Sequence, residues 1–183
     1  MRRARLVPAL ILALASILCL AAQPAGGAIK AGRLGIGDSV MLGAKSQLHA
    51  RGFGIVDAVV SRQYYGAASR VVYWKRLGKL PKNVVIHLGN NGIVLLSDCY
   101  HAVQAARNRN VFLVNLKVPR SWRIQDNKTL RRCARHFARA HLIDWYGYSH
   151  DHPSWFANDG YHLTGTGASA YAGLISRRIA AVS

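Results

Sequence analysis

The sequence predicts an α/β protein built on a three-layer, doubly wound and mainly parallel sheet of five strands. Three observations lead there. Five short apolar runs, most of them rich in β-branched residues, have the composition of strands buried on both faces. Helical patterns separate the consecutive runs, as parallel pairing requires. The polar residues able to carry chemistry fall just after the strand-like runs, at the edge where open α/β sheets bind ligands. At 183 residues, 51% of them apolar, the chain suits one domain with a substantial core.

Residues 1–28 differ from the rest. Arg2, Arg3 and Arg5 precede an apolar run over 6–22, and the small residues Ala25-Gly26-Gly27-Ala28 follow. This is the pattern of a secretory signal. An uncleaved membrane anchor is the alternative, although Pro8, Ser16 and the small residues after the run favour cleavage. The working domain is therefore expected over 29–183, secreted or in the cell envelope, and Cys19 is expected to leave with the signal.

The first strand is expected over 34–36, stopping at Gly37-Asp38-Ser39, with a helix from there to about residue 52. Glycine makes so abrupt a turn feasible, and free N–H groups at a helix start surround a serine with partial positive charge. Ser39 is thus well placed as a nucleophile; the plainer alternative is that Ser39 or Asp38 only caps the helix. Further strands are expected over 55–60, 84–88, 111–116 and 142–143. Helices are expected over about 65–77, 97–107, 127–141 and 167–182.

Along the carboxyl ends of these strands lie Ser61, the loop Gly89-Asn90-Asn91-Gly92, the segment Val118-Pro119-Arg120-Ser121-Trp122, and an acid and an imidazole three residues apart, Asp159 and His162. A nucleophile, a base with its orienting acid, and amide donors are the parts needed for acyl transfer through a tetrahedral oxyanion.

Gly37-Asp38-Ser39, Gly89-Asn90-Asn91 and Asp159-Gly160-Tyr161-His162 resemble, in order, the first, third and last sequence blocks of the SGNH, or GDSL-type, serine hydrolases, and the match spans nearly the whole chain after residue 28. The resemblance implies an SGNH/flavodoxin-like fold, Ser39 as nucleophile, His162 as base and Asp159 as its orienting acid. It implies an oxyanion hole from the N–H groups of Ser39 and Ser61 and the side-chain amide of Asn91, with no metal and no cofactor. Two departures stand out. Ser61 occupies the place of the second-block glycine, and Gly92 stands where many members carry Asp, which leaves that residue's loop contacts open.

The finer wording, including Gly-Asp-Ser-Val-Met-Leu-Gly and Asp-Gly-Tyr-His-Leu-Thr, is similar to the extracytoplasmic SGNH domains of peptidoglycan and polysaccharide O-acetyltransferases. Those domains usually follow a many-helix membrane acyltransferase, and no such segment occurs in this sequence. The wording favours transferase ancestry, while the missing membrane segment favours an autonomous esterase for short O-acyl, foremost acetyl, esters of wall or extracellular carbohydrate, and the esterase is the expectation. The alternative is an O-acetyltransferase served by a separate membrane acyl-supplying partner. A third class, a non-catalytic wall-binding module, is disfavoured by the joint presence of Ser39, Asn91, Asp159 and His162.

All seven acids are Asp. Removing the three arginines of the first 28 residues leaves 22 basic residues against seven acids, about +15 by formal count. Such a surface attracts anionic polymers or simply solubilises the chain, and both readings stand. No nucleic-acid motif is recognisable. Lys128, Arg131, Arg132, Arg135 and Arg139 form a basic stripe on the fourth helix.

Cys99 and Cys133 each sit on an apolar helical face, as a disulfide or as two buried thiols. Arg62 and Gln63 are candidates for substrate contact, with loop hydrogen bonding as the alternative. Trp122, Trp155 and Phe156 are read as a sugar groove or as packing. His87 is read as a core histidine, and His150-Asp151-His152 as a surface loop rather than a metal cluster.

Overall fold

The computed structural model describes residue 1 and residues 32–182, so the expected signal segment, Met1 aside, lies outside the described residues. No described helix is long and apolar enough to cross a membrane.

Five strands, β1 (Arg33–Gly37), β2 (Ile55–Ala58), β3 (Asn83–His87), β4 (Asn110–Val114) and β5 (Ala140–Ile143), form one sheet in the order β2-β1-β3-β4-β5. Every pair is parallel, which sharpens the expectation of a mainly parallel sheet. Period-two alternation divides the side chains between two cores. Val84, Ile86, Val111 and Leu113 face one core, closed by α3 (Ala67–Arg76), α4 (Leu96–Ala106) and α5 (Arg123–His136). Val85, Phe112 and Val114 face the other, closed by α1 (Ser39–Gly43), α2 (Lys45–His49) and α7 (Gly165–Ala180). The sheet is therefore apolar on both faces, and this is why its strands read as continuous apolar runs.

Two expected helices differ, and one short helix is additional. The single helix expected from Ser39 to about residue 52 is two five-residue helices, broken at Ala44 next to Gly43, a poor helix former. Met41, Ala44 and Leu48 are all fully buried across the break, so the apolar spacing that suggested one helix survives it. The helix expected over 127–141 begins earlier, at Arg123, and ends at His136. Phe137 is extended, and Ala140 already pairs with Val111 in β5. A further short helix, α6 (Trp145–Ser149), follows Asp144, whose side chain accepts a hydrogen bond from the Gly147 N–H.

Cys99 and Cys133 form a disulfide that ties α4 to α5 across 34 residues of chain. Closing a loop of that size stabilises the fold by on the order of 4 kcal/mol in the loop-entropy account. The Tyr64 hydroxyl lies 3.3 Å from the Cys99 sulfur and packs in the same core.

Candidate active site

Between β1 and β3 the direction of strand order reverses, and a doubly wound sheet opens a crevice there. Ser39 leaves β1 and Asn91 leaves β3, one on each side of that point, while Ser61 leaves the neighbouring β2.

The turn at Ser39 depends on close packing. A Cβ on Gly37 would lie 2.4 Å from the Cβ of Met41, so only glycine lets the first turn of α1 fold back onto the strand. Asp38 is the cap: its Oδ1 accepts from the Val40 N–H at 3.0 Å. The hydroxyl of Ser39 is thereby left for another partner. With only five residues, α1 supplies local N–H groups more than a long dipole, so the macrodipole contribution expected from an extended helix is small.

Ser39 Oγ lies 2.9 Å from His162 Nε2, and His162 Nδ1 lies 2.6 Å from Asp159 Oδ2. The imidazole thus accepts from the serine on one side and donates to the carboxylate on the other. Asp159 Oδ1 also accepts from the N–H groups of Tyr161 and His162, a compact turn that fixes the three-residue spacing. Burial works against its charge, but the hydrogen bonds from His162 and from the Tyr161 and His162 N–H groups together outweigh it and hold Asp159 below its usual pKa.

Several contacts anchor this loop. Phe156 pairs with Leu163 as an isolated bridge, the Ala157 N–H donates to the His162 carbonyl, and Lys117 Nζ donates to the Gly160 carbonyl at 2.9 Å. Two residues past His162, the Thr164 side chain caps α7.

The amide donors come from the other two loops. Ser61 adopts φ 63°, a left-handed conformation uncommon for a residue with a side chain and natural to the glycine whose place it takes. Arg62 holds that turn. Its guanidinium donates to Asp57 Oδ1 at 2.8 Å, to the Asp57 carbonyl, and to the Gly37 carbonyl at 3.3 Å. Asp57 also accepts from Arg70 and Trp74, both at 2.7 Å. Burial opposes its charge, and these hydrogen bonds prevail and lower its pKa.

In the third loop, the Asn90 Nδ2 donates to both carboxylate oxygens of the fully buried Asp38, tying the loop to the serine turn. Burial raises the Asp38 pKa despite the hydrogen bonds of Asn90 and Val40. Gln63 Nε2 donates to the Asn91 carbonyl at 2.9 Å, and a Cβ at Gly92 would come within 2.3 Å of Gln63 Oε1. The absence of a side chain at 92 is what admits Gln63. Trp122 Nε1 donates to the Gly89 carbonyl at 3.0 Å. Asn91 Nδ2 itself is buried and has no hydrogen-bond partner among the described residues, the condition of a donor held ready for an oxyanion.

The structure thus brings Ser39, His162 and Asp159 together and places Ser61 and Asn91 on adjacent loops. Of the three candidates for substrate contact, Arg62 bonds Asp57 and the Gly37 carbonyl, Gln63 bonds the Asn91 carbonyl and Trp122 the Gly89 carbonyl, the loop hydrogen bonding given as the alternative for Arg62 and Gln63. Phe156 and Trp155 pack in the second core, and His152 stacks on Trp155 with ring centroids 3.9 Å apart. No group of three metal-ligating side chains occurs among the described residues. His87 is fully buried, shares a 2.8 Å hydrogen bond with Tyr171, and is pushed by burial down to about 3, so it stays neutral. Asp38–Asn90 and Asp57–Arg62, which hold the site, were absent from the sequence reading as partners; only the unusual density of polar residues after each strand could have signalled them.

Asp126, in the first turn of α5, is fully buried, and neither carboxylate oxygen makes a well-formed hydrogen bond. Burial raises its pKa to about 6, with the nearby Val94 backbone offsetting part of the cost. The folded state therefore keeps a proton that the unfolded state releases near 3.8, and stability falls as pH rises between about 4 and 6, by up to about 3 kcal/mol. Asp126→Asn is expected to flatten this part of the profile and to raise stability at pH 7. Urea unfolding of both proteins at pH 4.5 and 7 checks it; parallel pH dependences would refute it.

Fold and site together define a class: α/β proteins that set a Ser–His–Asp hydrogen-bonded chain at the carboxyl edge of a parallel sheet beside converging amide donors. The chain is 32% identical over 142 residues to the peptidoglycan O-acetyltransferase OatA of Listeria monocytogenes, an alignment covering 77% of this chain and 23% of that protein. It spans about a quarter of the length of the curated relatives it matches. Among solved structures it is similar to the C-terminal catalytic domain of the Streptococcus pneumoniae peptidoglycan O-acetyltransferase OatA, with a TM-score of 0.73, 24% identity, and coverage of 82% of this chain and 93% of that one. It is also similar in fold to a family 3 carbohydrate esterase of Clostridium thermocellum, with a TM-score of 0.65, 15% identity, and coverage of 81% and 98%. No protein-family model matches the chain. These likenesses agree with the resemblance of its sequence blocks to the SGNH, or GDSL-type, serine hydrolases.

Proposed function

We propose that the protein is an exported serine esterase that removes short O-acyl groups, foremost acetyl, from cell-wall carbohydrate through an acyl-enzyme. The observation that carries this reading is His162 bridging Ser39 and Asp159, beside the unpaired amide of Asn91. In the first half-reaction Ser39 Oγ attacks the ester carbonyl while its proton passes to His162 Nε2. Asp159 holds the ring in the tautomer with Nδ1–H and stabilises the imidazolium. The N–H groups of Ser39 and Ser61 and the Asn91 amide receive the negative oxygen. His162 then returns the proton to the departing sugar oxygen, and water, deprotonated by the same ring, releases the acid.

A second reading, transfer to a sugar hydroxyl with a separate membrane partner supplying acyl groups, is favoured by the names of the relatives, which are O-acetyltransferases. Hydrolysis is preferred for the isolated protein because the His162 and Asp159 side chains are 38% and 43% exposed, so water has access to the acyl-enzyme. An acetyl-aryl ester donor supplied with and without chitooligosaccharide decides between them. Acetate release that outpaces acetylated sugar by mass spectrometry is expected. Acceptor-dependent acetylation exceeding acetate release would overturn the hydrolase preference, and failure to cleave any short acyl ester would overturn both.

A further inference from the structure

A cleft of about 780 Å³ opens between α5 and the turn into α6, lined by Arg123, Lys128, Arg131, Arg132, Arg135 and Tyr146, and it contains none of Ser39, Asn91 or His162. None of its five cations forms a salt bridge with a described residue. Helical spacing places Lys128 beside Arg132 and Arg131 beside Arg135, four residues apart in neighbouring rows. Like charges at that spacing repel and weaken the helix, so a face that served only solubility would gain by mixing signs.

The one acid in the cleft wall, Asp144, accepts through Oδ1 from Asn115 Nδ2 and from the Gly147 N–H. Part of the cleft surface is apolar: Ile124 is 60% exposed, and the Arg123 guanidinium lies over the Tyr146 ring, 4.3 Å from its centroid.

The basic surface continues on both sides. Lys128 and Arg132 also line a recess against Ile93 and Val94, which directly follow the Asn91-Gly92 loop, and Arg131 and Arg135 line another with Arg178. At the sheet edge, Asn115 lies two residues from Lys117, which holds the His162 loop through the Gly160 carbonyl.

We propose that this cleft binds an anionic glycan, a linear sugar chain carrying carboxylates at intervals. Guanidinium forks match carboxylates two bonds at a time, and an aromatic face beside them offers a platform for a sugar ring. The recessed shape fits a chain lying along the groove better than a flat lipid surface, which would reach only the rim. Because Lys128 and Arg132 are shared with the recess beside Ile93 and Val94, a polymer seated in the groove can extend toward the Asn91 loop. This goes beyond the esterase reading and holds whether or not that reading does.

The test is calorimetric binding of hexagalacturonate to the protein, with neutral chitohexaose and phosphatidylglycerol vesicles as comparisons. Hexagalacturonate is expected to bind, and more weakly as salt rises. Arg131→Glu with Arg135→Glu should lower its affinity by about tenfold or more, equivalent to about 1.4 kcal/mol, and leave aryl-ester turnover unchanged. A control pair, Arg76→Glu with Lys79→Glu, reverses the same charge at exposed positions outside the cleft and should change affinity little. Equal loss in both pairs would reduce the effect to net charge and overturn the proposal. So would chitohexaose binding as tightly as hexagalacturonate, or vesicles binding where hexagalacturonate does not.

Discussion

Ser39→Ala is expected to abolish covalent labelling by a fluorophosphonate and to lower aryl-acetate turnover by about four to six orders of magnitude. The wild type should gain the mass of one label, on Ser39, because its hydroxyl is the one whose proton His162 Nε2 can accept at 2.9 Å. His162→Ala should lose nearly as much, since the two groups act as a unit and removing either disables the same step. Neither substitution touches a core contact. Ser39 makes no capping bond, that role belonging to Asp38, and His162 lies in a partly exposed loop. Both variants should therefore unfold at nearly the wild-type temperature. A folded wild type that takes no label would move the protein to the binding-module class, and labelling that persists in Ser39→Ala would place the nucleophile elsewhere.

The fold was legible because burial on both faces leaves a plain trace: Val84, Val85 and Ile86 must all be apolar when alternate side chains enter different cores. Boundaries were less legible where one residue satisfies two periods. Ala140 continues the apolar spacing of α5 and is also the first pairing residue of β5, and only its partnership with Val111 decides the matter. The three blocks of the site were legible because Ser39 and Asn91 stand at turns directly after β1 and β3, and Asp159 and His162 share one compact turn before α7. The hydrogen-bond partners of Arg62, Gln63 and Trp122 were not, because sequence gives proximity to a loop but not direction. A guanidinium beside an oxyanion donor can face substrate or reach back, and Asp57, five residues earlier across the turn, is what draws it back. Gly92 shows the same limit. As a departure from a family pattern it suggested a lost contact, yet in the fold it is the gap that Gln63 fills.

Asn91→Ala should lower kcat by roughly a hundred- to a thousandfold, corresponding to about 3 to 4 kcal/mol of barrier, with little change in KM. The charge its amide meets is present in the transition state and largely absent from the bound ester, so the loss belongs to the chemical step. Stability should move differently. Asn91 Nδ2 is a buried donor with no partner, so deleting it removes a desolvation cost rather than a bond, and the unfolding midpoint should stay level or rise. Gln63→Ala provides the contrast: it removes the donor that holds the Asn91 carbonyl at 2.9 Å, loosening the loop while leaving the amide present, so it should cost less activity and some stability. Measuring kcat, KM and urea midpoints for both variants separates the two effects. If Asn91→Ala keeps wild-type kcat, the residue does not meet the oxyanion. If its activity and stability fall together in proportion, its contribution is to the loop's structure, and the unpaired amide must be explained in some other way.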